Sequence, residues 1–127
     1  MVEKIGDPIK LPDGTAIPIS QAVRANGFLF VSGQLGVKAD FSLAGEDVES
    51  QTAQALENLK AQLKAGGTDV AHVVKVTAWI TDPSDFAGFN KIYAGTFGAS
   101  PPARSTVVSG LLLPGAKIEI EAVAALP

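Results

Sequence analysis

Few side chains in this 127-residue sequence can carry chemistry, and their types are restrictive. There is no cysteine and only one histidine, His72. Thiol nucleophiles, disulfides and cysteine metal sites are thereby excluded. One histidine, with carboxylates that lack ligand spacing, makes no metal centre. A histidine without a motif around it is more often structural or solvated than catalytic. Gly66-Gly67 follows a predicted helix instead of opening one, so it is not a phosphate loop. Arg104 comes after Pro101-Pro102-Ala103, a stiff approach that fixes where its side chain originates. A guanidinium so placed can grip a carboxylate through two parallel hydrogen bonds, although a solvated edge arginine is the commoner case. Glu119 and Glu121 share one face of a predicted strand, about 7 Å apart. Shielded from water, such a pair raises its own pKa values and suits a general base; a solvated sheet face is again commoner. Ser32-Gly33 offers a hydroxyl and backbone groups at the end of a predicted strand, a pair also frequent in turns. Tyr93, at helical spacing among phenylalanines, reads as core.

The elements that position these groups follow from punctuation and periodicity. Asp7-Pro8, Pro12-Asp13-Gly14 and Pro18 make the first eighteen residues loop-like, with room for a short edge strand. Ser20 to Ala25 and Phe28 to Val31 flank Asn26-Gly27, the strongest short hairpin signal. Over Glu46 to Ala65, Val48, Thr52, Leu56, Leu59 and Leu63 fall on one helical face. Acidic residues open that helix, lysines close it, and Gly66-Gly67 stops it. Val73 to Thr81 is β-branched and predicts a strand. Asp82-Pro83 opens a second helix carrying Phe86, Phe89, Tyr93 and Phe97, with Asp82 as its cap. Ala103 to Val108 and Lys117 to Ala125 close the chain as strands joined around Leu113-Pro114-Gly115. In the last strand, Ile118 and Ile120 face one way and Lys117, Glu119 and Glu121 the other. Two amphipathic helices cover one face of a sheet, so the expected fold is a two-layer α+β domain over residues 1–127. The other face must meet solvent or a partner.

Bulk properties narrow the function classes. The chain is 46% apolar and only 18% charged, below the roughly 25% charge of typical soluble chains. That points mildly to self-association. A net charge of −3, with basic residues scattered, argues against nucleic-acid binding. No stretch approaches the ~20 apolar residues that span a bilayer, and the N-terminal residues lack a secretory apolar core. A cytoplasmic location is expected.

Taken together, several segments resemble one family. They are Phe28-Leu29-Phe30-Val31-Ser32-Gly33-Gln34, Gln51-Thr52 with Leu56-Glu57-Asn58-Leu59, and Phe86 to Phe97 with Asn90 and Tyr93. Pro102-Ala103-Arg104-Ser105 and Lys117-Ile118-Glu119-Ile120-Glu121-Ala122 complete the set. In this order they resemble the RidA/YjgF/UK114 enamine/imine deaminases. The resemblance implies a chorismate-mutase-like α+β fold, and a homotrimer with a central barrel-like core and clefts between subunits. It also implies cofactor-free hydrolysis of 2-imino acids such as 2-iminobutanoate or 2-iminopropanoate to 2-oxo acids and ammonia. By position, Arg104 matches the arginine that binds the substrate carboxylate, and Glu119 the glutamate that positions the attacking water. Ser32, Gly33 and Asn90 match pocket residues, with Ser105 and Thr106 beside the arginine. Thr106 stands where the archetype has cysteine, and Ile19 where it has a pocket tyrosine, so the substrate's side chain is left open. A non-catalytic trimer that binds small carboxylate metabolites is the alternative reading. An RNase reading is opposed by the acidic balance and the absence of a basic stripe.

Overall fold

In a computed structural model describing residues 1–127, Asn26 and Gly27 both take positive φ, 51° and 82°. This mirror-image turn matches the twist of paired strands. It joins strands β2 (Ala22–Ala25) and β3 (Phe28–Leu35), with Ala25 opposite Phe28 and Ala22 opposite Val31. A short strand β1 (Glu3–Ile5) pairs with the outer edge of β2, within the segment read as loop with room for an edge strand. β3 continues past Val31 to Leu35, and its register against the last strand shifts between Val31 and Gln34. Ser32 and Gly33 therefore lie inside a bulged strand, not at the hairpin's end. Bulges of this kind re-aim side chains.

Helix α1 (Val48–Ala65) starts two residues later than its predicted boundary. Asp47 caps it by accepting a 2.9 Å bond from the Ser50 amide, which satisfies an otherwise unpaired donor. Val48, Thr52, Leu56, Leu59 and Leu63 are all buried, as the periodicity predicts. Strand β4 (Val73–Ile80) follows. Asp82 then caps a single 3-10 turn with Pro83 in first place, which runs into helix α2 (Phe86–Phe97). Phe89, Tyr93 and Phe97 turn inward, but Phe86, expected with them, is 42% exposed. Strand β5 (Ala103–Val108) lies parallel to β4 at the sheet edge. Strand β6 (Ile118–Ala125) inserts antiparallel between β3 and β4.

The sheet order is β1-β2-β3-β6-β4-β5. One face, carrying Leu29, Val31, Val76, Ala78, Ile118 and Ile120, is sealed into a single core with the helices. The opposite face has no covering layer, and Phe28 and Phe30 stand 39% and 47% exposed on it. This is the two-layer α+β architecture expected. Lys117 departs from its expected place beside Glu119, since it precedes β6 and its ammonium lies 4.0 Å from Asp85 Oδ2. No helix is long and apolar enough to cross a membrane.

One buried polar side chain ties these layers together. Gln51 on α1 is fully buried. Its Nε2 donates to the carbonyls of Gly45 and Gly115, both at 3.0 Å, and its Oε1 accepts from the Lys117 amide at 2.7 Å. It thus pins the start of β6, two residues ahead of Glu119, to the first turn of α1. Unpaired buried groups cost about 1–3 kcal/mol each, so Gln51→Leu is expected to destabilise the fold by roughly 2–4 kcal/mol and lower Tm by about 10 °C. Thermal and urea denaturation check this.

Candidate active site

β2 covers β3 only as far as Val31. Beyond that point the N-terminal loop swings away and leaves a cleft of about 780 Å³ between the loop, β3 and α1. Ile19, Ser32, Gly33 and Glu119 all line it. The Ser32 hydroxyl donates to the Ser20 carbonyl at 2.6 Å and its amide to the Gln21 carbonyl at 3.1 Å. Ser32 thereby tethers the segment that carries Ile19. The Glu119 carboxylate lies across Gly33, where an added Cβ would come within 2.6 Å of Oε2. A larger residue there would require the end of the Glu119 side chain to shift. Burial pushes the Glu119 pKa up, and the neighbouring Glu121 charge adds to the rise. A carboxyl whose proton affinity is raised in this way is suited to accept a proton from a bound water.

The cleft also contains a strained residue. Phe41 has a φ of 68°, a left-handed backbone that costs an L-residue roughly 1–2 kcal/mol. The turn around it is fully hydrogen-bonded. The Phe41 amide donates to the Lys38 carbonyl, the Lys38 amide to the Ser42 carbonyl, and Ser42 to the Asp40 carboxylate through both amide and hydroxyl. Phe41 is among the residues that line the cleft.

Arg104 lies elsewhere. Its guanidinium carbon sits 4.7 Å from the centroid of Tyr93, 5.2 Å from Phe89 and 5.7 Å from Phe86, all within cation–π range. The partly exposed Phe86 ring completes this platform. The chain's ion pairs involve Arg24, Lys60, His72 and Lys117, and none reaches Arg104. Its charge is held by aromatic faces with no carboxylate to neutralise it. Burial raises the Tyr93 pKa, against a smaller downward pull from Arg104, so the phenol stays neutral. The Tyr93 and Thr106 hydroxyls are buried without hydrogen-bond partners. Asn90 is half-buried on α2, one residue beyond Phe89.

Strand register separates the two groups. Arg104 is opposite Val76, which is opposite Ala122, both buried under the helices. Glu119 is opposite Trp79 and Leu35. Residues directly across paired strands share a face, so Arg104 emerges on the helix side and Glu119 on the open side. Ser105 alternates with Arg104, and its hydroxyl accepts a 2.9 Å bond from Lys75; the structure does not bring its side chain to the arginine. Ser109 donates to the Ile80 carbonyl. By the alternation of a parallel pair, the peptide groups of Arg104 and Thr106 therefore point to the free edge.

His72 is bonded to Asp69, with Nδ1 and Oδ1 2.8 Å apart. That local partner was not expected, and it leaves the histidine away from both groups. No group of three or more His, Cys, Asp or Glu side chains could hold a metal. The aromatic platform and Phe41 are not legible from the sequence. The helical spacing of the phenylalanines marked them as core, and no sequence rule places a bulky residue at positive φ.

A two-layer α+β domain with a mixed six-stranded sheet is the fold of the Rid/YjgF proteins. A family model described as Endoribonuclease L-PSP matches residues 12–126, and the chain belongs to this RidA/YjgF family. It is 44% identical to a RutC family protein of Pyrococcus horikoshii, over 84% of this chain and 86% of that one. It is 46% identical to the chloroplastic Reactive Intermediate Deaminase A of Arabidopsis thaliana over 86% of this chain, which spans 59% of that relative. Among solved structures, the Rid family protein YyfA of Yersinia pestis superposes with a TM-score of 0.87 at 38% identity, covering 99% of this chain and 100% of the other. RidA of the Antarctic bacterium Psychrobacter sp. PAMC 21119 gives 0.85 at 31%, covering 98% and 99%.

The raised pKa of Glu119 sets the sign of a stability effect. Its folded form holds the proton above the ordinary value of 4.5, so ionisation opposes folding. Glu119→Gln is expected to match the parent at pH 4 and to melt higher than the parent at pH 8. Melting curves across that range check it.

Proposed function

We propose that the protein hydrolyses 2-imino acids, with their enamine tautomers, to 2-oxo acids and ammonia in sites completed by neighbouring copies of a homotrimer. The observation that carries this reading is the separation of two prepared half-sites. An uncompensated guanidinium on an aromatic platform lies on one face, and a proton-affine carboxyl in a cleft lies on the other. Neither has its counterpart within the chain. A cyclic assembly in which unlike surfaces meet joins such halves. Exposed Phe28 and Phe30 on the uncovered sheet face favour burial against further copies.

In the assembled site, Arg104 of one copy holds the substrate carboxylate through its fork, with the outward peptide groups of Arg104 and Thr106 at the same edge. Glu119 of the next copy accepts a proton from water as the water oxygen attacks the imine carbon. The resulting carbinolamine takes that proton on nitrogen; as the C–N bond breaks and ammonia leaves, the hydroxyl passes its own proton to the freed Glu119 carboxylate and the carbonyl of the 2-oxo acid forms. The imine carbon is already electrophilic, so orientation and a polarised water supply the catalysis. Similarity to a relative named Reactive Intermediate Deaminase A supports this chemistry. The word endoribonuclease in the matching family model finds less support in a chain of net charge −3. Binding carboxylate metabolites without turnover remains the competing use of the same groups.

With imines generated by an amino-acid oxidase, Arg104→Ala is expected to lower kcat/KM by about 2–5 kcal/mol, the scale for unpairing a desolvated charge. Mixing unfolded Arg104→Ala and Glu119→Gln chains and refolding them together is expected to restore activity at about a quarter of boundaries, by random assortment in a cyclic trimer. Mixtures no more active than either variant would remove the shared site.

A further inference from the structure

The cleft beside Glu119 is larger and more apolar than the smallest 2-imino acids require. Its volume of about 780 Å³ falls within the roughly 300–1,000 Å³ of pockets that bury drug-sized ligands. Beyond Ser32, Gly33 and Glu119, its walls include Ile9, Ile17, Ile19, Val37, Phe41 and Leu112. Two of these are open to water. Leu112 is fully exposed at the rim, and Ile19 is 49% exposed. Lys10 and Lys38 also border the cleft, but both are exposed; they favour the approach of an anion without lining an anionic subsite.

Phe41 supplies the second observation. Its φ of 68° is one that glycine adopts freely and that a bulky residue resists. The hydrogen-bonded turn from Lys38 to Ser42 holds it there, at the lining of the cleft. Strain retained at a cleft points to a use for the strained side chain.

We infer that this cleft selects 2-imino acids with large apolar side chains, branched or aromatic, and that Phe41 is a specificity-determining residue for them. The inference rests on the imino-acid reading of the same site. A substrate whose carboxylate is gripped by Arg104 of a neighbouring copy, and whose imine carbon faces Glu119, must send its third substituent away from the arginine. The apolar walls that share the cleft with Glu119 are there to receive it. A long aliphatic or aromatic group displaces water from Ile17, Ile19 and Phe41, whereas a methyl group leaves most of the wall wet.

The test measures kcat/KM for imines formed from leucine and phenylalanine against those from alanine and 2-aminobutyrate. Calorimetry follows the binding of 4-methyl-2-oxopentanoate and phenylpyruvate against pyruvate. The bulky imines are expected to lead by at least about tenfold, the discrimination that one apolar group earns in a hydrophobic pocket. Binding is expected to follow the same order. Phe41→Gly is expected to shrink both ratios to within about threefold while Tm stays level or rises, since the backbone is relieved. A merely structural Phe41 would lower Tm on substitution and leave the ratios alone, and that result overturns its assignment. Small imines turned over as fast as bulky ones, with flat binding, overturn the size preference and leave the hydrolase reading intact. Preferential binding of bulky oxo acids without turnover of any imine keeps the ligand class and removes the hydrolase. Neither turnover nor preferential binding removes both.

Discussion

A β-strand sends successive side chains to opposite faces of its sheet, and that constraint governs the whole arrangement. Once β6 pairs with β4 through Trp79 and Glu119, and β5 pairs with β4 through Val76 and Arg104, no loop movement can bring the arginine and the glutamate together in one chain. Each needs a different environment, and the fold supplies both. The helix side offers aromatic rings that hold a cation without neutralising it. The open side offers a bulge and a gap beside β3, where a carboxyl is partly dehydrated.

Packing on the helix side does double service. Phe89 and Tyr93 belong to the core cluster, yet their ring faces also carry the guanidinium. Loss of either ring therefore disturbs the fold and the arginine together. The open side is held by smaller means, namely two bonds from Ser32 to the N-terminal loop and three from Gln51 to the residues around β6. These polar contacts position the cleft more than they consolidate the core.

Element order, strand pairing signals and the buried face of α1 were legible in the sequence because each rests on local periodicity or turn chemistry. Asn26-Gly27 declares its hairpin, and Val48 to Leu63 declare their face. Family motifs pointed to Arg104 and Glu119 as candidates. The bulge at Ser32-Gly33 was not legible, because it depends on register against β6, nearly ninety residues away. The place of Phe86 beside Arg104 joins α2 to a strand that follows it in the chain, which spacing within a helix cannot reveal. Phe41 was missed for a different reason. Its backbone goes against local preference, and a network of neighbours maintains it.

The contact between Gly33 and Glu119 bears on how relatives of this chain are compared. The carboxyl, whose proton affinity is raised by burial and by the Glu121 charge, lies against a bare backbone. A methyl group at that position would meet the carboxylate oxygen at 2.6 Å, so the end of the Glu119 side chain would have to shift. A chain can thus retain both charged residues of the proposed reaction and still hold the carboxyl in a different place. Where a reactive group sits in this fold depends on the absence of a side chain as well as on the presence of two.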